Sequence, residues 1–139
     1  MVAALISLDT NVLVYAFQAG EKRDRALAVL GRRPIASVQL LNEYAHVARR
    51  KLGRGWEEIA RDLDLVRGML SHVHPLTDEA NRDGLRLAAR YRLAPYDAFM
   101  LAVALSGGAR TFYSEDMQHD LVIDGALRVV NPFRPEGLA

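Results

Sequence analysis

The chain has 139 residues, half of them hydrophobic and 25% charged, with a formal net charge of +1, the balance of an ordinary globular domain with a real core. It has no cysteine, which excludes a disulfide framework and a thiolate metal site and accords with a reducing cytoplasm. The apolar run at residues 2–8 is too short for a membrane span and lacks the basic flank and cleavage site of a leader, so the expectation is a cytoplasmic protein with no membrane anchor.

Residues 5–8, LISL, are a short apolar run that stops at Asp9, the pattern of a buried central strand. Thr10 and Asn11 then open a helix through Phe17, so Asp9 stands at a strand's carboxyl end, where open α/β sheets bind ligands. A buried Asp is rare unless it is paired or bound to metal; capping the helix is the other role that fits it. Residues 21–30 read as an amphipathic helix closed by Gly31, with Arg32, Arg33 and Pro34 as linker, and residues 35–38 as a second strand.

A helix over residues 39–52 follows, with Leu40, Leu41, Tyr44, Ala45, Val47 and Ala48 facing inward and Glu43 near its start. Alone, Glu43 reads as a solvated helix residue; its place relative to the other acids is what raises it. Glu43 and His46 have the Glu-x-x-His spacing of carboxylate-bridged di-iron bundles, but the second copy and the two further helical Glu residues that such a site needs are missing.

Gly53 and Gly55 precede a helix over residues 56–70, whose Trp56, Ile59, Ala60, Leu63, Val66 and Leu70 keep the spacing of a core stripe. His72 and His74 share one face of a short strand and, without a third ligand at suitable spacing, line a surface. The next helix covers residues 78–92, with Thr77 as N-cap. Arg82, Arg86 and Arg90 form a stripe along it that reads first as a solvated face, whereas Arg49, Arg50, Lys51 and Arg54 make a denser cluster and the better candidate for a phosphate backbone. Sixteen of the 18 basic residues are Arg, the better residue for bidentate phosphate contacts; genomic base composition explains that bias equally well.

Residues 98–105 are almost wholly apolar, a helix buried on most sides. Pro95 suits its first turn, which puts Asp97 among the unpartnered backbone N–H groups, and Gly107 and Gly108 stop it. Residues 110–113 read as a strand and residues 114–120 as a polar, acidic loop holding Ser114, Asp116, Asp120 and His119, the last a minor candidate for touching phosphate. The helix descends about 13 Å and the strand climbs back about 15 Å, so Asp97 and Asp116 finish at one edge of the sheet. Residues 128–130 supply a last strand, and residues 131–139 read as a loose tail. Strands and helices alternate throughout, which predicts one domain over residues 1–139 with a short, mostly parallel sheet between two helical layers, a three-layer α/β/α fold.

Asp9, Glu43, Asp97 and Asp116 thus come from four segments that end at one sheet edge. Like charges crowded within a few ångströms raise one another's pKa, and Mg²⁺ or Mn²⁺, which prefer carboxylate and water oxygen, would relieve the conflict. Such ions polarise phosphate oxygens and activate water, which points to phosphodiester hydrolysis.

The order and spacing of LDTNVLVYA, NEYAHVARRK, PYDAFMLAVAL and TFYSEDMQHD resemble the PIN-domain ribonucleases, and among them the VapC-type toxins of toxin–antitoxin pairs, over nearly the whole chain. The resemblance implies Mg²⁺- or Mn²⁺-dependent cleavage of RNA, frequently tRNA, by a homodimer silenced by a cognate VapB-like antitoxin. It makes Asp9, Glu43, Asp97 and Asp116 the metal-binding acids, Asn11 the residue that orients the first acid, and Ser114 the hydroxyl that helps hold metal water or the scissile phosphate. Asp120 departs from the Gly that many relatives carry after the His, and its role stays open. Two other hypotheses remain: a non-catalytic PIN-like module that binds RNA or protein, and a phosphohydrolase of the haloacid dehalogenase type. The latter requires a second Asp where this chain has Asn11.

Overall fold

A computed structural model describes residues 4–138. Six helices flank short, mostly parallel strands in the expected α/β/α arrangement. The elements are β1 (Ile6–Leu8), α1 (Thr10–Ala16), α2 (Arg23–Gly31), β2 (Ile35–Ser37), α3 (Val38–Arg50) and α4 (Trp56–Met69). They continue with β3 (His72–His74), α5 (Asp78–Tyr91), α6 (Pro95–Ser106), β4 (Thr111–Tyr113), β5 (Val122–Ile123) and β6 (Leu127–Val130).

The strands do not form one continuous ladder. A four-stranded sheet runs β1-β4-β6-β5, with β5 antiparallel to β6, and β2 pairs separately with β3 in parallel. At the seam a side chain replaces the backbone ladder, since the Ser7 hydroxyl donates to the Ile35 carbonyl at 2.8 Å. The β5 strand was not foreseen: it has two residues, too few for an alternation signal, and the Asp124–Gly125 turn that joins it to β6, with both residues at positive φ, is its one sequence mark.

Core packing follows the apolar runs. Leu8, Val12, Leu13, Leu40, Tyr44, Leu101 and Phe112 are at most 1% exposed, and α6 is buried from Ala98 through Ala104 except at its partly covered Phe99. The expected stripe on α4 is corrected at two places. Trp56 is 65% exposed and Ala60 is also exposed, because Trp56 opens the helix and its ring lies under the Arg49 guanidinium, 4.8 Å away. The buried place on that face belongs to Asp62. It accepts from the Tyr44 hydroxyl at 2.5 Å and from Arg54 through two nitrogens at 2.6 and 2.7 Å, so the buried charge is paired and hydrogen-bonded as burial demands.

The carboxy-terminal residues are likewise corrected. Residues 131–138 are not loose but docked: Arg25 donates to the carbonyls of Pro132 and Arg134 at 2.9 and 2.8 Å, and Arg32 to that of Leu138 at 3.1 Å. Phe133 meets Tyr15 edge to face at 5.1 Å.

Helices α5 and α6 approach closely at Gly84, where a Cβ would stand 2.3 Å from a ring carbon of Phe99 and 3.1 Å from its Cα. Ala favours a helix over Gly by up to about 1 kcal/mol, but overpacking costs about 1–3 kcal/mol. Gly84→Ala is therefore expected to lower stability by about 1–2 kcal/mol, measurable as a lower urea midpoint at unchanged m; a midpoint that rose would show the contact to be looser.

Candidate metal centre

The same local rules that start each element deliver the acids to one rim. Asp9 follows β1, caps α1 by accepting from Thr10 N at 2.8 Å, and donates its own N–H to the Tyr113 carbonyl at 2.8 Å. Ser114 follows the neighbouring strand β4, so the two meet side by side, and its fully buried hydroxyl donates to Asp9 Oδ2 at 2.8 Å. Capping is thus one job of Asp9, satisfied by one oxygen while the other faces Ser114. Glu43 lies on α3, whose start is capped by the Ser37 hydroxyl. Asp97 lies in the first turn of α6, with Pro95 ahead of it. Asp116 sits in the loop after β4.

All four acids line a single cleft of about 510 Å³, together with Asn11, His46, Lys51 and Glu115. Asn11 bridges two of them, donating to Asp116 Oδ2 at 2.9 Å and Asp9 Oδ2 at 3.5 Å. Two residues that sequence reasoning passed over hold a third: Thr10 donates to Glu43 Oε2 at 3.0 Å, and buried Gln39 reaches Glu43 Oε2 at 3.4 Å and the Tyr96 carbonyl at 2.9 Å. Gln39 thereby ties the helix that carries Glu43 to the start of the helix that carries Asp97. Its signal was faint, a single amide placed four residues before Glu43.

Electrostatically the rim resists its own charge. Burial, against the hydrogen bonds from Ser114 and Thr10, pushes Asp9 up to about 6, and Asp97 and Asp116 add to the shift. Burial also raises Asp97, with Glu43 and Asp116 contributing, and raises Glu43 with a contribution from Asp9. Glu115 behaves differently. It is held below its ordinary value, because Lys22 and the Tyr15 hydroxyl both donate to it and outweigh its burial. Tyr15 and Asn11 lie one turn apart on α1, so this helix grips the loop after β4 at two points.

Residue chemistry and geometry bear differently on a divalent cation. The donor set is all carboxylate oxygen, the choice of Mg²⁺ and Mn²⁺, and three of its members are biased toward protonation, with no cation among the described residues bonded to them. Among the described residues, however, no three acidic or imidazole groups stand at ligand spacing. Asp9 and Asp116 converge on Asn11 instead, so holding an ion would require the side chains of the rim to turn.

Other expected site residues fall outside the cleft. Arg54 is committed to Asp62, and Arg49 lies over Trp56 and donates to the Arg54 carbonyl at 3.3 Å. Of that basic cluster only Lys51 borders the acids, with Arg50 on an adjoining depression. Arg82, Arg86 and Arg90 are spent on Asp78, Asp83 and Asp124, as a solvated face would be. His119 does not face the cleft; its Nδ1 accepts from Asn131 N at 2.9 Å. Asp120 is exposed, faces Arg128 at 3.4 Å, and has a φ of 67°, the left-handed conformation that glycine adopts without strain.

No helix among the described residues is long and apolar enough to cross a membrane. Comparisons with known proteins agree with this fold. A toxin–antitoxin complex from Klebsiella pneumoniae superposes with a TM-score of 0.70 at 20% identity, covering 94% of this chain and 98% of that one. VapBC2 from Rickettsia felis, bound to a DNA fragment from its promoter, gives 0.65 at 19% identity over 91% and 98% of the two chains. VapC20 of Mycobacterium tuberculosis, described as a sarcin–ricin loop cleaving toxin, gives 0.63 at 19% over 80% and 89%. No curated protein matches at a significant level. The family model of the PIN domain matches residues 6–122; with that match over most of its length, the chain belongs to the PIN domain family.

Proposed function

We propose that the protein is a divalent-metal-dependent endoribonuclease acting as the toxin of a VapBC-type pair, with a structured RNA such as tRNA as substrate, a VapB-like antitoxin as partner and a homodimer as its working form. The observation that carries the chemistry is the convergence of Asp9, Glu43, Asp97 and Asp116 on one cleft, three of them disfavoured as bare anions. Membership of the PIN family and the likeness to toxin–antitoxin structures support the biological role.

In this reading the four acids hold one or two ions of Mg²⁺ or Mn²⁺, and a bound cation supplies Lewis acidity toward phosphate and water. The chain's own residues do the rest. Ser114 and Thr10 N fix Asp9, Thr10 and Gln39 fix Glu43, and Asn11 spans Asp9 and Asp116. Water adds at phosphorus, the bond to the 3′ oxygen breaks, and a 5′-phosphate and a 3′-hydroxyl result. Incubation of the protein with RNA and Mn²⁺, with and without chelator, tests this; cleavage that persists under chelation would overturn the metal-dependent reading. A non-catalytic module is the second reading, favoured by the lack of three groups at ligand spacing among the described residues, and an absence of Mn²⁺ uptake would select it.

Lys22 enters as a positioning residue, because it neutralises Glu115 and so steadies the segment that carries Asp116. Groups bonded directly to metal ligands are worth about 10- to 100-fold in affinity, and Lys22 acts one step further out, through Glu115, so the low end of that range applies. Lys22→Met is expected to weaken Mn²⁺ binding about tenfold in calorimetry and Lys22→Arg to restore most of it; equal affinities for Lys22→Met and wild type would remove Lys22 from this role.

A further inference from the structure

Helix α3 changes character along its exposed side. Glu43 faces the acid cleft, His46 and Lys51 line the same cleft, and His46, Arg50 and Lys51 then wall an adjoining depression of about 390 Å³. From Glu43 the axial rise is about 4.5 Å to His46 and about 12 Å to Lys51. The depression therefore runs off one end of the acidic rim as a continuous groove.

Pairing and position together separate this groove from the rest of the basic surface. Arg23, Arg61, Arg92 and Arg110 are without an ion pair or side-chain hydrogen bond among the described residues, but none of them lines the acid cleft or the depression. Lys22, Arg54, Arg82, Arg86 and Arg90 are all held by acids of the chain. Among the described residues His46, Arg50 and Lys51 make neither an ion pair nor a side-chain hydrogen bond, and all three are exposed. Their donors face solvent beside a cluster of four carboxylates, yet none of them folds back onto those carboxylates. A helix carboxyl end favours cations by itself, which accounts for Arg50 and Lys51 being there. It does not account for His46, or for a groove shared with the acids. Apart from the His46 imidazole no aromatic ring lines the depression, so it offers little on which to stack a base and much with which to meet a phosphate.

We propose that His46, Arg50 and Lys51 form a phosphate track that receives the backbone of single-stranded RNA next to the scissile bond, without reading its bases. This rests on the ribonuclease reading of the acid cleft and adds to it where the substrate runs. At a stacked rise of about 3.4 Å per nucleotide, the stretch from Glu43 to Lys51 spans about three to four nucleotides, so the track follows the strand beyond the reacting phosphate.

The test measures binding of a short, labelled single-stranded RNA to the full chain carrying Asp97→Asn, in Mg²⁺, as a function of salt. Adding Lys51→Met is expected to weaken binding about fivefold and to lower the slope of log affinity against log salt by about 0.7, the loss of one phosphate contact on a single strand. Adding Arg82→Met, which removes the same charge from a side chain that is paired with Asp78 and lines neither the cleft nor the depression, is expected to change neither. Equal effects of the two substitutions would make the attraction a property of net charge and overturn the track, as would an unchanged affinity in Lys51→Met. If Lys51→Met bound as its parent while wild type cleaved RNA, the track would fall and the nuclease reading would stand. If the parent bound through Lys51 but wild type never cleaved, the nuclease reading alone would fall; if wild type neither bound nor cleaved, both would.

Discussion

Replacing Asp97 by Asn is expected to reduce Mn²⁺-dependent RNA cleavage by at least about 100-fold, or ~2.7 kcal/mol of transition-state stabilisation, with the fold intact. The side chain has no hydrogen-bond partner among the described residues that the substitution would orphan, and it is half-buried in the first turn of α6, where Pro95 and the apolar run behind it hold the helix. Its environment raises its pKa by burial and by the nearness of Glu43 and Asp116, so Asn relieves tension rather than creating it. Single-turnover cleavage with circular dichroism on the same samples would check both halves. Activity equal to wild type would take the reaction away from this cleft, and a lost fold would take the carboxylate out of the chemistry and into the structure.

Asp9→Asn carries the second large effect, and its sign is opposite to that of most buried substitutions. Asp9 titrates near 6 in the folded chain against 3.8 as the ordinary value. A raised carboxyl contributes stability that is fully present below about pH 4 and lost as the pH climbs through 6, and the shift corresponds to ~3 kcal/mol at neutral pH. Asn escapes that loss and keeps the acceptor for Thr10 N, while its amide must find a new arrangement with Ser114, whose hydroxyl also accepts from Met117 N. Allowing for this, the metal-free variant should be about 1–2 kcal/mol more stable than wild type at pH 7.5, and the difference should vanish toward pH 4. Urea unfolding at the two pH values in chelator measures it. A variant less stable than wild type at pH 7.5 would show that the hydrogen bonds to the carboxylate outweigh its desolvation.

Much of this site could be read from the chain because each acid stands next to strong local punctuation. Asp9 ends an apolar run, Asp97 follows Pro95 at the head of an apolar helix, and Asp116 follows a short β-rich segment, so strand and helix lengths alone return them to one edge. Glu43 needed the others to be recognised. What stayed hidden depends on partners distant in sequence. Asp62 occupies a core position on α4 because Tyr44 and Arg54 come to it from 18 and 8 residues away, and a hydrophobic pattern can only assign that stripe to its apolar members. Residues 131–138 dock through backbone carbonyls that receive Arg25 and Arg32, and carbonyl acceptors leave no trace in composition. The same reason divides the basic cluster: Arg49, Arg50, Lys51 and Arg54 are neighbours in sequence, yet α3 ends among them and sends Arg54 inward to Asp62 while Lys51 turns to the cleft.

The decisive measurement is a calorimetric titration of the chelator-stripped protein with Mn²⁺ at neutral pH, run in parallel on wild type and Asp9→Asn. Wild type should take up the ion and gain thermal stability in step with its concentration, and the variant should bind far more weakly while starting from a higher melting temperature. No uptake by wild type, or uptake untouched by the loss of the Asp9 charge, would contradict a rim of carboxylates assembled for a divalent cation.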